Sequence, residues 1–308
     1  MSRPPGPFWT ELIGWPRIFY IQLMIYGPSF VFLCFIFRET RPSVILKHAH
    51  IDSEPIGPEC VPDESQKKSL GAWLYEAVVL PSRLLCTEPV VFIFTLLSAL
   101  SYGIVFMGTQ SVTQVYSALY HFEEYQAGLV QCALVIGELV GFVVCLHQNR
   151  IYCRKARLDG GPSQSLDTSV AESRLYWSIP ACFIGLSGGI FWYAWSSYRS
   201  LSWIMPTIGL GLIGFGVMVV MQAIMMYITD AYEKYAASAS AAVCCGENLF
   251  AAFLPLSATS MYTNLGFHWA GSVLGFLMLA LSFAPVVLVA KGREIRRRSP
   301  FIRRAYYE

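Results

Sequence analysis

From Leu201 to Thr229 the chain reads LSWIMPTIGLGLIGFGVMVVMQAIMMYIT, twenty-nine residues without one Asp, Glu, Lys or Arg. A helix rises about 1.5 Å per residue, so about 20 such residues cross the roughly 30 Å hydrocarbon core of a bilayer. Lipid offers no partner to backbone N–H and C=O groups, and a helix satisfies them within itself. This stretch therefore predicts a membrane-spanning helix. The same reading extends outward to Leu175–Tyr198 and Trp269–Ala290, and further to Pro89–Tyr120 and Ile18–Phe37. Two more runs, Tyr125–Leu146 and Tyr235–Phe267, are each interrupted by a single acid, Glu138 and Glu247. No segment alternates apolar and polar residues as a membrane β-barrel strand does. The prediction is an all-α membrane protein with seven transmembrane helices.

Composition points the same way. Of 308 residues, 55% are apolar and 14% charged, where a soluble domain carries about 25% charged residues. Low hydrophobicity with high net charge, the mark of a disordered chain, is missing. The formal charge is +2. The expected partner is the lipid bilayer, and nucleic acid is not expected.

That small net charge conceals an asymmetry. Basic residues gather on the cytosolic face of membrane proteins, so their distribution between spans sets orientation. The segment 38–88 holds six Lys and Arg, 150–174 holds five, the tail after Ala290 holds seven, and Lys234 lies in the turn after the fifth span. Only Arg3, Arg17 and Arg199 fall on the other side. The N-terminus is expected outside and the C-terminus in the cytosol. The chain thus divides into a non-cytosolic N-terminal segment (1–17), a first span (18–37), a cytosolic linker (38–88), a six-helix bundle (89–290) and a basic cytosolic tail (291–308). Within the linker, Pro55–Lys68 reads as a spacer, and Leu70, Trp73, Leu74, Ala77 and Val78 fall at helical spacing. That amphipathic run, Ser69–Leu85, is interrupted at Leu80-Pro81 and is expected to lie along the inner membrane surface or to pack on the bundle. Met1–Trp15 holds three prolines and no apolar core, so it is no secretory signal peptide. The expectation is that further helices precede the first span.

None of the nine cysteines falls in a non-cytosolic loop, which agrees with thiols that stay reduced. No Cys/His spacing completes a zinc site, so Cys244-Cys245 is expected to serve packing. No phosphate-cradling Gly-Lys-Ser/Thr motif is present. Neither an enzyme activity nor a cofactor is expected.

Within the spans, Gly209, Gly211, Gly214 and Gly216 and the run Ala236–Ala242 predict closely packed helices. Pro28, Pro180, Pro206, Pro255 and Pro285 mark kinks or helix ends. A carboxyl at mid-bilayer is costly, so Glu247 and Glu138 are expected to face a cavity, find a partner or keep their proton. They are the first candidates for a substrate or proton pathway, followed by Asn248, Gln222 and Tyr227. Asp230 ends the fifth span as a cap or ion-pair partner.

Several motifs carry a family resemblance. Gly14-Trp15-Pro16-Arg17-Ile18-Phe19-Tyr20-Ile21-Gln22, followed by Arg38-Glu39-Thr40-Arg41, resembles the sixth helix of fungal major facilitator superfamily transporters. Leu84-Leu85-Cys86-Thr87-Glu88-Pro89 resembles the entry to their seventh helix, and Phe191-Trp192-Tyr193-Ala194-Trp195-Ser196 their ninth. Tyr227–Tyr232 and Tyr235–Ala239 resemble the end of the tenth and the start of the eleventh. Met261-Tyr262 with Leu265–Ala270 resembles the turn into the twelfth. The branch resembled is that of drug/proton antiporters, with its polyamine and multidrug exporters. The resemblance implies twelve helices in two halves that rock around a shared cavity, of which this chain would form helix six and the C-terminal six-helix bundle. It implies proton-coupled export of small organic or cationic solutes, at the plasma membrane or alternatively the vacuolar one, with protons and solute as further partners. Leu146-His147-Gln148-Asn149-Arg150 would be a cytosolic gate loop, with Asn149 where an Asp is usual, so Asn149, Arg150 and Asp230 are its gate candidates. Many relatives carry Arg at the position of Glu247. One half offers one wall of a cavity, so the chain alone is not expected to transport without an N-terminal half; an inactive or regulatory half-transporter is the alternative. A seven-helix receptor would share the outside N-terminus, but the long 38–88 loop and the lack of an outer cysteine pair argue against it.

Overall fold

A computed structural model describes residues 15–37, 71, 75–158, 171–232 and 235–298. It divides the chain into two units, 1–73 and 74–308. Seven helices among the described residues are long and apolar enough to cross a membrane, and no strand occurs among them. Most of the 38–88 linker, including Leu70, Trp73 and Leu74 of the amphipathic stretch, lies outside the described residues, as do the ends of the chain.

In the first unit, α1 spans Trp15–Ile36 with Pro28 inside it. Proline deletes one backbone donor. Next to it, Ser29 Oγ donates to the Ile25 carbonyl at 2.7 Å and returns a hydrogen bond to that turn.

The second unit opens with a π-helical turn, Tyr75–Val79, that runs directly into α2, Leu80–Thr87. The expected interruption at Leu80-Pro81 is therefore a change of helix type. Pro81 sits in the first turn of α2, and its ring holds φ in the helical range. Next come α3 (Pro89–Tyr120), α4 (Glu124–Val130) and α5 (Cys132–Leu158). His121 ends α3 in the left-handed region at φ 56°. Glu123 then caps α4 in a reciprocal box with Gln126, the Ser/Thr-free version of a common N-terminal signal.

The fourth span is composite. A 3-10 turn (Ala171–Leu175) and a short α-turn (Ser178–Pro180) lead into a π-helical stretch, Ala181–Gly188, and then α6, Gly189–Ser196. The widened turns begin right after Pro180, which has no N–H to give to the turn before it. The remaining helices are α7 (Ile204–Tyr232), α8 (Ala236–Leu281) and α9 (Phe283–Arg298). Gly266 interrupts α8 with φ 76° and ψ 162°. That conformation is open to glycine and strained for other residues. It turns the chain from the sixth span into the seventh, at the Leu265–Ala270 motif.

Two long pairings organise the bundle, α3 with α8 and α5 with α7, and α7 also packs on the fourth span. The glycines of α7 divide between two faces. A Cβ on Gly214 would meet the Leu134 carbonyl oxygen of α5 at 2.3 Å, and one on Gly137 of α5 would meet the Gly211 carbonyl oxygen at 2.0 Å. On the other face, a Cβ on Gly209 would lie 2.8 Å from the Tyr193 nitrogen and one on Gly216 would lie 2.6 Å from the Leu186 nitrogen. Residues 209 and 216 are two turns apart and residues 211 and 214 nearly one, so each pair shares a helix face. The core between α3 and α7 is filled by Phe94 and Tyr227, packed edge to face at 5.4 Å.

Candidate functional site

Glu247 follows Gly246 on α8 and is buried. Gly246 sets its depth: a Cβ there would strike the Thr95 methyl of α3 at 2.4 Å, so α8 lies directly on α3 at this level. One turn along α3, the buried Ser98 hydroxyl donates to Glu247 Oε1 in a short hydrogen bond. The expected partner of this acid is therefore a hydroxyl from a neighbouring helix. Ser98 can donate to the carboxylate or accept from the carboxylic acid, so the pair persists in either protonation state. Asn248 faces the other way. It is exposed and folds back, Nδ2 to the Cys244 carbonyl at 2.7 Å, beside the exposed Cys244 and Cys245.

The other pathway candidates do not join Glu247. Glu138 is half-buried on α5, without a hydrogen-bond or ion-pair partner among the described residues, between the close-packed Gly137 and Gly141. Gln222 is half-buried on α7 and lines a cleft with Gln148, Asn149 and Arg174. Tyr227, expected on a polar lining, lies instead in the core with its ring against Phe94. A phenol is mostly apolar surface, and packing claims it.

Asp230 and Asn149 do come together, through a residue the sequence reading passed over. Arg174, at the start of the fourth span, sends Nε to Asp230 Oδ2 at 2.9 Å and Nη1 to Asn149 Oδ1 at 3.0 Å. Its guanidinium lies 3.4 Å over the Tyr152 ring, and Gln148 Nε2 donates to its backbone carbonyl. Asn149 and Tyr152 are three residues apart on α5 and so share a face. One guanidinium thus fastens α5, the fourth span and α7 at a single point. Arg150 is exposed and takes no part in this cluster. Arg174 was visible only as one of five cations in its segment; its spacing to Asn149 and Asp230 carries no motif. At the same end of the bundle, the buried Tyr232 hydroxyl donates to the buried Glu88 Oε2 at 3.3 Å and ties the end of α7 to the start of α3.

Among the described residues, no three His, Cys, Asp or Glu side chains are grouped to hold a metal ion. The described cysteines are all free thiols.

The family profile described as Major Facilitator Superfamily matches residues 4–245. The chain belongs to the major facilitator superfamily. Among its relatives are the MFS transporter cpaT of Aspergillus oryzae, 32% identical over 96% of this chain and 59% of the relative, and the uncharacterized transporter mfc1 of Schizosaccharomyces pombe, 30% identical over 94% and 60%. The efflux pump atB of Aspergillus terreus is 27% identical over 96% of the chain and 62% of its own length. The chain therefore spans about three-fifths of the curated relatives it matches. No solved structure matches it. The seven apolar helices are those of a multi-pass membrane protein of the major facilitator superfamily.

Proposed function

We propose that the chain works as the helix-six and C-terminal portion of a proton-coupled exporter of small organic or cationic solutes, in company with an N-terminal half. It sits in the plasma membrane with the basic end of the bundle in the cytosol. The observation that carries this reading is Glu247: a single buried carboxyl at mid-span, held by one hydroxyl on the adjoining helix. A carboxyl at mid-bilayer is costly, so such a residue marks a substrate or proton pathway. Ser98 can partner it in either protonation state. The relatives named as transporters and as an efflux pump support the same direction. At the cytosolic end, Arg174 with Asp230 and Asn149 holds the helices together and serves as the gate.

Two measurements test this. Glu247→Gln keeps the volume and the bond to Ser98 but cannot carry a proton. In sealed vesicles from cells expressing the chain together with its N-terminal half, an imposed pH gradient should drive accumulation of a fluorescent organic cation, and the variant should fall to the level of control vesicles. Unchanged pH dependence in the variant would move Glu247 to a packing role. For orientation, Cys86 and Cys153 are exposed at the basic end. A membrane-impermeant maleimide applied to intact cells should spare both and label both once the membrane is opened. Labelling in intact cells would reverse the topology.

A further inference from the structure

At the charged end of the bundle a cleft of about 160 Å³ lies between α5 and α7, beside Arg174. Part of its wall is polar: buried Gln148 and exposed Asn149 come from α5, and half-buried Gln222 from α7. Arg174 is the only charged side chain among the described walls. The rest is apolar and open, with Phe142, Leu146 and Met226 all exposed. A cavity of about 150 Å³ takes up benzene. This cleft therefore has room for one polar group of similar size, and a longer molecule must continue over the exposed apolar rim.

Counting N–H groups shows what Arg174 still offers. A guanidinium carries five. Nε is given to Asp230 and one Nη1 hydrogen to Asn149. The other three have no hydrogen bond among the described residues, and neither has the Gln222 amide. The side chain of Arg174 is only 12% exposed, so its unused donors favour an acceptor brought by a ligand. The two sides of the guanidinium differ. Asn149, on the Nη1 side, lines the cleft, and Asp230, on the Nε side, does not. An anion in the cleft thus reaches the planar fork from the side away from the carboxylate. Such a fork matches phosphate oxygens two at a time.

We infer that this cleft holds the phosphate of an anionic phospholipid, with Arg174 and Gln222 as donors and the acyl chains over Phe142, Leu146 and Met226. A soluble phosphate would leave that rim unused, whereas a lipid covers it. Basic pockets between membrane helices take lipid headgroups in the same way. The bound phosphate becomes a further partner of the guanidinium that fastens α5, the fourth span and α7, and so steadies that end of the bundle. The inference does not depend on proton coupling or on export.

Cys145 lines the cleft and reports on its occupancy. In the purified full chain in maltoside detergent, its modification by N-ethylmaleimide is followed by peptide mass spectrometry, with the exposed Cys153 as control. Dioleoylphosphatidylglycerol should protect Cys145, and leave Cys153 unprotected, at about tenfold lower concentration than dioleoylglycerol, which has the same chains and no phosphate. Equal protection by the two would overturn the role of the phosphate. Sodium phosphate, which has no chains, should protect neither thiol; protection of Cys145 by it would overturn the assignment to a lipid. Gln222→Leu removes one donor to a charged group and should raise the half-protecting concentration of the phospholipid about tenfold. An unchanged value in the folded variant would overturn the placement of the phosphate between Arg174 and Gln222. Should Gln222→Leu fail to fold, native mass spectrometry of the wild type keeps the test open. Dioleoylphosphatidylglycerol should stay bound as the detergent is stripped and dioleoylglycerol should leave; loss of both alike would overturn the site.

Discussion

Replacing Gly137 or Gly214 by alanine should destabilise the bundle far more than the same change at Gly211, although all three lie along the contact between α5 and α7. A single methyl group makes the difference. At Gly137 it would sit 2.0 Å from the Gly211 carbonyl oxygen, and at Gly214 2.3 Å from the Leu134 carbonyl oxygen, whereas at Gly211 the nearest atom is 3.5 Å away. The obstructing atoms are backbone, which cannot rotate aside as a side chain would, so the helices must separate along their length. Between helices in lipid, close van der Waals contact replaces the hydrophobic force, and separation forfeits it. Overpacking of this kind costs about 3 kcal/mol, at the upper end of its usual range because nothing can yield. For a unit of this size that corresponds to a melting point about 6 °C lower. Heating the detergent-solubilised variants and measuring the surviving monomer by size exclusion separates the cases. Equal melting points for Gly137→Ala and Gly211→Ala would mean that backbone contact does not set the α5–α7 spacing.

The glycines also show how far the sequence could be read. Their density in the fifth span announced close packing, but not that α7 is a middle layer, with residues 211 and 214 turned to α5 and residues 209 and 216 to the fourth span. The spans themselves were plain, because charge-free runs of this length have one solution in lipid; the run Pro89–Tyr120 coincides with α3 from end to end. The π-helical stretch Ala181–Gly188 was hidden, since an apolar run looks the same at any helical pitch. Glu247 stood out as the lone acid of its run. Its partner Ser98 did not, because it lies 149 residues away and serine is unremarkable in a membrane helix. That the Tyr227 ring packs on Phe94 was not legible either, because the two residues lie far apart in sequence.

Arg174 is the residue whose removal should be felt most at the charged end, and a double variant shows why. Its side chain is 12% exposed and that of Asp230 24% exposed, so the pair is mostly withdrawn from water. Arg174→Ala removes the bond to Asp230, the bond to Asn149 and the stacking on Tyr152 at once, and strands a partly buried carboxylate. Breaking a fully buried pair from one side costs about 3–5 kcal/mol, and the residual exposure lowers the expectation here to about 2 kcal/mol. Arg174→Ala with Asp230→Ala removes the stranded charge as well, so it should recover part of that loss and be more stable than Arg174→Ala alone. Asn149→Ala, which deletes one neutral acceptor, should cost about 1 kcal/mol. Thermal stability of the four proteins, read at low and high salt, checks the ordering. If the double variant were less stable than Arg174→Ala, Asp230 would owe its position to contacts other than Arg174. Arg174→Lys supplies the finer control: a lysine keeps the charge but cannot reach Asp230 and Asn149 from one planar group. It should therefore restore the ion pair and lose the Asn149 bond together with the stacking on Tyr152. A stability midway between wild type and Arg174→Ala is expected, because the cluster depends on the shape of the guanidinium as well as on its charge.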